Sequence, residues 1–259
     1  MESRTSSYDT RAMDSTAPHG TIIITGSSSG IGHALAHRLA PSARLVLTAR
    51  REDQLQALCD TLPGDHATVA GDIADPAVSM KCVDAAGDAL RGVIANAGTM
   101  PIAPAQTAAL EHWHDTVRVN LEGTLNIVHG ALTAMPDGGD VVLMSSVAGR
   151  GAFPAASVYG ATKAAINSFA EALRAETAAA MKHGGPAIRV ITVLPGAVDT
   201  ELPASIRDDA TRAGTEAYYE GMTHVLSADD VADAVAWAMH RPAHVSINEL
   251  VIRPTGMVR

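Results

Sequence analysis

Tyr159 and Lys163 lie four residues apart in the segment SVYGATKAAINSF, residues 157–169. Four residues are about one turn of an α-helix, so a helix here would place both side chains on one face. A phenol with an ordinary pKa of about 10 is a poor proton donor near neutral pH, and an adjacent ammonium lowers that pKa. The pair therefore suits proton transfer by Tyr159. The alternative is an ordinary tyrosine and lysine on a helix surface.

Two further polar residues can reach the same space. Ser146 follows Ser145 at the end of the predicted strand DVVLMSS, and Asn120 lies in the long predicted helix before that strand. Ligands of open α/β sheets bind beyond the carboxyl ends of the strands, which is where a serine and the Tyr/Lys pair would converge. Taken singly, the serines could be turn residues, Lys163 a surface residue and Asn120 a polar helix residue.

A glycine-rich turn, TGSSSGIG at residues 25–32, joins the first predicted strand, TIIIT, to a predicted helix. Glycines let the backbone approach a diphosphate, and the start of a helix offers free N–H groups and a positive dipole end. The spacing of Gly26, Gly30 and Gly32 differs from GxGxxG, so the turn alone is weak support. Its position at the first strand-to-helix turn favours a dinucleotide site over a simple turn.

The second predicted strand, RLVLT, ends in Ala49, Arg50 and Arg51, where an NAD site carries an acidic residue. The guanidinium group of arginine binds phosphate well, so the predicted ligand is the 2′-phosphate of NADP(H). Arg50 is its expected main partner, and Ser28 is expected to assist. The alternative is a solvated basic pair, which is unfavourable near a helix N-terminus.

Strand and helix patterns alternate along the whole chain. The unbroken apolar strands predict a parallel sheet covered on both faces. We therefore expect an α/β fold with a single Rossmann-like, doubly wound sheet of about seven strands over residues 19–259. Residues 1–18 are predicted to be a disordered tail, and residues 197–226 a mobile substrate lid. The segment 75–91 is short for a crossover, which predicts a trimmed third helix.

Composition excludes several classes of protein. The net charge of −9, from 19 Lys and Arg against 28 Asp and Glu, argues against nucleic acid or an anionic membrane as a partner. Cys59 and Cys82 form no CxxC motif, and the histidines lack metal-ligand spacing, so no metal is expected. No apolar run approaches the roughly 18–20 residues that span a bilayer. A cytoplasmic protein is predicted.

Together these motifs resemble the classical short-chain dehydrogenase/reductase family, over about residues 20–254. Besides TGSSSGIG, the resemblance rests on GDI at 71–73, ANAG at 95–98, YGATK and LPGAVDT at 194–200. Ala95 replaces the first asparagine of the family's NNAG motif. The segment ARRED and the ending NELVIRPTG resemble the branch of the family that prefers NADP.

The resemblance implies roles for individual residues. Ser146 would donate to the substrate oxygen, Tyr159 would give it a proton, Lys163 would hold the nicotinamide ribose, and Asn120 would hold a water that links Lys163 to solvent. These four are the expected catalytic residues. The expected cofactor-binding residues are Gly26, Ser28, Ser29, Gly30, Ile31, Arg50, Arg51, Asp72, Ile73, Asn96, Ala97, Gly98, Tyr159, Lys163, Pro195, Gly196, Val198 and Thr200.

The expected activity is the NADP(H)-dependent interconversion of a carbonyl compound and a primary or secondary alcohol. Two alternatives are an NADP-binding sensor without catalysis and an epimerase or dehydratase of related fold. The expected substrate is a small molecule, with pocket walls at Met100, Val147, Phe153, Leu202, Tyr218, Tyr219 and Met222. The long, Ala-rich helices near 107–135 and 157–181 also predict a homodimer or homotetramer.

Overall fold

Seven parallel strands form one sheet in the computed structural model, which describes residues 20–257. The strands are β1 Thr21–Thr25, β2 Arg44–Ala49, β3 Ala67–Ala70, β4 Leu90–Ala95, β5 Gly139–Met144, β6 Ile188–Pro195 and β7 Glu249–Ile252. Their order is β3-β2-β1-β4-β5-β6-β7. The direction of winding reverses between β1 and β4, and such a switch point opens a crevice beyond the carboxyl ends of the strands. The predicted doubly wound fold is confirmed, while the predicted tail at 1–18 lies outside the described residues.

Helices cover both faces of this sheet. They are α1 Gly30–Leu39, α2 Glu52–Thr61, α3 Pro76–Ala86, α4 Leu110–Val117, α5 Gly123–Thr133, α6 Ser157–Lys182, α7 Asp209–Glu220 and α8 Ala228–Met239. Ile22 and Ile24 of β1 pack into one hydrophobic cluster with α1 and α8, whereas Ile23 packs into the other with α3, α5 and α6. Because both faces are covered, every residue of TIIIT is buried, as its continuous β-branched run predicts.

The third helix is not shortened, so the prediction of a trimmed helix is wrong. Helix α3 has 11 residues, one more than α1 or α2. It fits the short segment because its ends are tight. Asp75 caps the first turn by accepting a hydrogen bond from the Ala77 N–H at 2.9 Å, and Pro76 opens the helix. At the other end Gly87 turns the chain with a φ of 63°, and a single 3-10 turn leads to β4.

The long helix predicted near 107–135 consists of α4 and α5, joined by a π-helical turn at Arg118–Glu122. A π-turn inserts an extra residue into an α-helix and is frequent at functional sites. Asn120 lies within this turn and is fully buried. The turn therefore brings a polar side chain to the inner face of an otherwise regular helix.

Residues 197–226, the predicted lid, leave the sheet after β6 and return before α8. The mobility of this lid and its contact with substrate stay predictions. It contains a 3-10 turn at Leu202–Ser205 and the helix α7. Val198 and Leu226 form a parallel bridge, and the Asp199 N–H donates to the Leu226 carbonyl at 2.8 Å. Both ends of the lid are thus fastened to each other at the edge of the crevice.

Across residues 20–257, no helix combines the length and the hydrophobicity needed to cross a bilayer. The same residues contain no group of three or more His, Cys, Asp or Glu side chains arranged to hold a metal ion.

Candidate active site

A cleft of about 530 Å³ lies beyond the carboxyl ends of the central strands. All the residues predicted to bind the cofactor line it, together with Ser146. Asn120 is not among the lining residues, because it is buried behind the cleft wall. Sequence spacing and topology therefore bring the predicted residues to one place, although they come from six different strand-to-helix connections.

The glycine-rich loop between β1 and α1 has no room for side chains at two positions. Gly26 has a φ of 69°, and a Cβ there would lie 2.9 Å from the Ala97 Cα. A Cβ on Gly32 would lie 2.2 Å from the Gly26 carbonyl oxygen. Helix α1 starts at the cleft and has no acidic residue in its first turn. Its N-terminus is thus an open site for an anion.

Asn96 holds the glycine-rich loop against the end of β4. Its side-chain Nδ2 donates to the Thr25 carbonyl at 2.9 Å, and its backbone N–H donates to Thr25 Oγ1 at 2.9 Å. The Ala97 N–H donates to the same hydroxyl oxygen at 2.9 Å. Asn96 thus braces the glycine-rich loop, and because it also lines the cleft, its predicted contact with a cofactor stays a prediction.

Two arginines stand at the far end of the cleft, next to this loop. Arg51 Nη2 donates to Ser28 Oγ at 3.0 Å and to Ser29 Oγ at 2.9 Å, while its Nη1 pairs with Glu201 at 3.0 Å. Arg50 lines the cleft beside it and is exposed. The sequence singled out Arg50, but Arg51 is the arginine bonded to the loop. Glu201 was not predicted, because it is 150 residues away along the chain.

Asp72 forms an ion pair that the sequence did not reveal. Its Oδ2 accepts from Arg118 Nη1 at 2.5 Å, and its Oδ1 accepts from the Ala74 N–H at 3.1 Å. Partial burial alone would raise the pKa of this carboxyl, but the hydrogen bonds from Arg118 and Ala74 outweigh it and hold the pKa below its usual value. Asp72 therefore faces the cleft as a stable carboxylate.

Tyr159 and Lys163 lie one turn apart on the inner face of α6, as their spacing predicts. Both are buried, and Lys163 Nζ lies 5.7 Å from the centroid of the Tyr159 ring. Nζ also donates to the Met144 carbonyl at the end of β5, at 2.8 Å. The cation is thus held between the sheet edge and the phenol.

The pKa of Tyr159 moves in the direction opposite to the sequence-based prediction. Burial raises it from 10.0 to about 12, although a hydrogen bond with Ser146 opposes the rise and the nearby Tyr219 phenol adds to it. Burial likewise lowers the pKa of Lys163 from 10.5 to about 8. The prediction considered only the neighbouring cation and omitted the loss of solvation.

The two serines after β5 have different surroundings. Ser145 Oγ donates to the backbone carbonyl of Lys163 at 3.0 Å and so ties β5 to α6. Ser146 begins the 3-10 turn Val147–Gly149, where its Oγ accepts from the Ala148 N–H at 3.1 Å. The Ser146 hydroxyl can still donate its own proton, and it lies near enough to Tyr159 to oppose the rise in the pKa of the phenol.

Asn120 reaches the back of the Lys163 site. Its Oδ1 accepts from the Thr99 N–H at 2.8 Å, and its Nδ2 donates to the Thr99 carbonyl at 3.0 Å. A Cβ on Gly98 would lie 3.4 Å from Asn120 Oδ1 and 3.8 Å from Lys163 Nζ. The amide thus braces the chain between Gly98 and Thr99, and its predicted hold on a water stays a prediction.

An apolar cluster packs around Tyr159 beside the cleft. Met100 and Ile206 pack with Tyr159 in a small cluster, against which Phe153 and Leu202 also pack. The Met100 N–H donates to Ser205 Oγ at 2.8 Å and so fastens the lid to the body. Of the two predicted lid phenols, Tyr219 lines the cleft, whereas Tyr218 is half exposed. Of the other predicted pocket walls, Leu202 lines the cleft, whereas Met100, Val147, Phe153 and Met222 do not.

Known proteins similar to this chain match it over most of its length. The family model described as short chain dehydrogenase matches residues 20–211. Serine 3-dehydrogenase of Agrobacterium fabrum is 34% identical over 243 residues, which cover 92% of this chain and 94% of that protein. Sulfoacetaldehyde reductase of Chromohalobacter salexigens is 35% identical over 249 residues, which cover 90% of this chain and 93% of that protein.

Among solved structures, the closed form of a serine dehydrogenase complexed with NADP+ superposes with a TM-score of 0.80 at 28% identity, covering 90% of this chain and 94% of that one. A serine dehydrogenase from Escherichia coli superposes with a TM-score of 0.73 at 26% identity, covering 90% of this chain and 96% of that one.

Proposed function

Since this chain belongs to the short-chain dehydrogenase/reductase family of oxidoreductases, we propose that it interconverts a carbonyl compound and a primary or secondary alcohol with NADP(H). The observation that carries the proposal is the buried Tyr159–Lys163 pair, which shares one cleft with the glycine-rich loop. Similarity to two curated relatives, a serine dehydrogenase and a sulfoacetaldehyde reductase, supports the same class of reaction.

Ser146, Tyr159 and Lys163 have separate roles in the proposed carbonyl reduction. Ser146 donates to the substrate oxygen and stabilises the charge that develops there. Tyr159 gives that oxygen its proton, and the apolar cluster packed against its ring holds the phenol in place. Lys163, whose Nζ lies 5.7 Å from the centroid of the Tyr159 ring, supplies a positive charge that favours the phenolate left by this transfer. A bound NADPH supplies the hydride, while the chain supplies placement and polarity.

The far end of the cleft supports NADP(H) over NAD(H). Ala49 stands where an acidic residue would bond the ribose hydroxyls of NAD. Arg50 and Arg51 face the same space, and Ser28 and Ser29 offer hydroxyls to a phosphate. The structure of a serine dehydrogenase with NADP+ adds support from a relative.

Activity is tested by the rate of NADPH oxidation with a panel of aldehydes and ketones. The panel spans apolar compounds, which suit the Leu202 side chain that lines the cleft, and small anionic ones such as sulfoacetaldehyde. Turnover with at least one carbonyl compound is expected. Tight NADPH binding without turnover across the panel would favour a sensor that does no chemistry.

Cofactor preference gives a quantitative prediction. We expect NADP(H) to bind at least about tenfold more tightly than NAD(H), since tenfold needs only about 1.4 kcal/mol, well within one charge-assisted contact. Arg50→Asp is expected to erase or reverse that ratio, because the new carboxylate repels the 2′-phosphate. The dissociation constants of both cofactors, measured by calorimetry for both proteins, check this.

The matched control is Arg38→Asp, a charge reversal on the outer face of α1, where Arg38 pairs with Asp233 outside the cleft. It should leave the ratio unchanged. Equal dissociation constants for the two cofactors in the unmodified protein contradict the proposed preference.

We also propose that the chain assembles into a homodimer or homotetramer through its long helices. Leu110 of α4, Leu125 of α5 and Met181 of α6 are large apolar side chains exposed to solvent, and a second copy would cover such a surface. Light scattering at micromolar concentration is expected to give two or four times the chain mass of 26.7 kDa. A mass near 27 kDa at that concentration is the contrary result.

A further inference from the structure

Glu201 forms an ion pair with Arg51, the arginine that is hydrogen-bonded to the glycine-rich loop. Arg51 uses Nε and Nη2 for the hydroxyls of Ser28 and Ser29, and its Nη1 pairs with Glu201 Oε2 at 3.0 Å. Each of the three guanidinium nitrogens therefore already has a protein partner. The one partner that carries charge comes from the lid rather than from the cofactor loop.

The backbone holds Glu201 in position for this contact. Asp199, two residues earlier, is bonded to Leu226 at the base of the lid, and the Leu202 N–H donates to Thr200 Oγ1 at 3.3 Å. The Ala204 N–H then donates to the Glu201 carbonyl at 3.0 Å. The side chain itself is 62% exposed, so it can turn away while its backbone stays in place.

A 2′-phosphate and the Glu201 carboxylate compete for the same cation. The phosphate carries close to two negative charges and binds best to a guanidinium fork. Both anions on Arg51 would repel each other at short range. The pair between Arg51 and Glu201 is exposed on both sides, and such a pair is weak enough to be exchanged for a stronger one.

We propose that Glu201 is a specificity-determining residue, whose carboxylate stands in for the 2′-phosphate on Arg51 and has to leave when a 2′-phosphorylated nucleotide binds. The inference rests on the proposed preference for NADP(H). A nucleotide that lacks the phosphate leaves the Arg51–Glu201 pair intact and meets no competition. Glu201 therefore lowers the selectivity that Arg50 and Arg51 create, and it couples the first turn of the lid to the choice of cofactor.

The test uses Glu201→Gln and two adenosine fragments, adenosine 2′,5′-bisphosphate and adenosine 5′-monophosphate. Calorimetry at low ionic strength, where exposed charges are least screened, gives the dissociation constants. Removing the competing charge is expected to tighten binding of the bisphosphate by about three- to tenfold. Binding of the monophosphate is expected to stay within twofold. Glu216→Gln, the same change on the exposed face of α7, is expected to alter neither.

The outcomes separate this inference from the proposed function. If the unmodified protein prefers the bisphosphate and Glu201→Gln leaves that preference unchanged, the role of Glu201 is overturned while the cofactor assignment stands. An equal gain for both fragments also overturns it, because the carboxylate would then act on the whole nucleotide. If both proteins bind the two fragments with equal dissociation constants, the proposed preference for NADP(H) is wrong, and so is the role of Glu201.

Discussion

Tyr159→Phe is expected to lower turnover by a factor of about 10²–10⁴, the usual contribution of a general acid, while NADPH affinity changes little. The substitution removes one oxygen from a buried ring. The ring still packs against Met100 and Ile206, so the fold and the cleft are expected to survive. Steady-state rates and NADPH dissociation constants, measured on the same preparation, check both parts of the expectation.

Tyr218→Phe provides the matched control. Tyr218 lies next to Tyr219 in the lid, but its side chain is half exposed and does not line the cleft. It is expected to keep the parent rate. Activity of Tyr159→Phe within threefold of the parent would mean that the proton comes from elsewhere and that the Tyr159–Lys163 pair has no part in proton transfer.

Lys163→Met is expected to stabilise the cofactor-free protein at pH 7, by on the order of 2 kcal/mol, while weakening NADPH binding. Burial lowers the pKa of Lys163 from 10.5 to about 8, so below pH 8 the folded chain carries a poorly solvated ammonium. Methionine has a side chain of similar length and no charge. The lost hydrogen bond to the Met144 carbonyl offsets part of the gain.

The sign of the pH dependence follows from that pKa. Between about pH 8 and 10.5 the unfolded chain binds a proton on Lys163 that the folded chain does not, so the stability of the parent rises with pH. The gain in unfolding free energy of Lys163→Met over the parent is therefore largest below pH 8 and disappears toward pH 10.5. Denaturant unfolding of both proteins at several pH values measures it.

Lys182→Met changes the same charge at the exposed end of α6 and is expected to show no such pH dependence. If Lys163→Met is less stable than the parent at every pH, the ammonium is better solvated in the free protein than its burial indicates. The charge would then have no stability cost in the cofactor-free state.

The strands and most helices could be predicted because local pattern decides them. The run TIIIT is β-branched throughout and lies between two helical layers. The tyrosine and lysine of α6 share a face because their spacing matches one helical turn. The third helix was misjudged because segment length says little about how tightly its ends turn. Its cap at Asp75 and the left-handed Gly87 allow an 11-residue helix in that space.

The parts of the site that the sequence did not reveal depend on three-dimensional contacts. Arg118 and Glu201 each pair with a residue far away along the chain, and no local pattern connects such partners. The direction of the pKa shift of Tyr159 was misjudged for a similar reason. Spacing locates the neighbouring cation, but only the packed structure shows how completely the phenol is removed from water.

The bridge between Val198 and Leu226 joins the two ends of the lid, so the segment between them can be replaced as a unit. Closure entropy grows only slowly with loop length, so a grafted loop of another length between the same two ends would add little entropic cost. Substrate range could then diverge between descendants of this chain while the sheet and the glycine-rich loop stay unaltered. Glu201 would travel with the graft, so a descendant that acquires a new lid would acquire a new degree of cofactor discrimination in the same event.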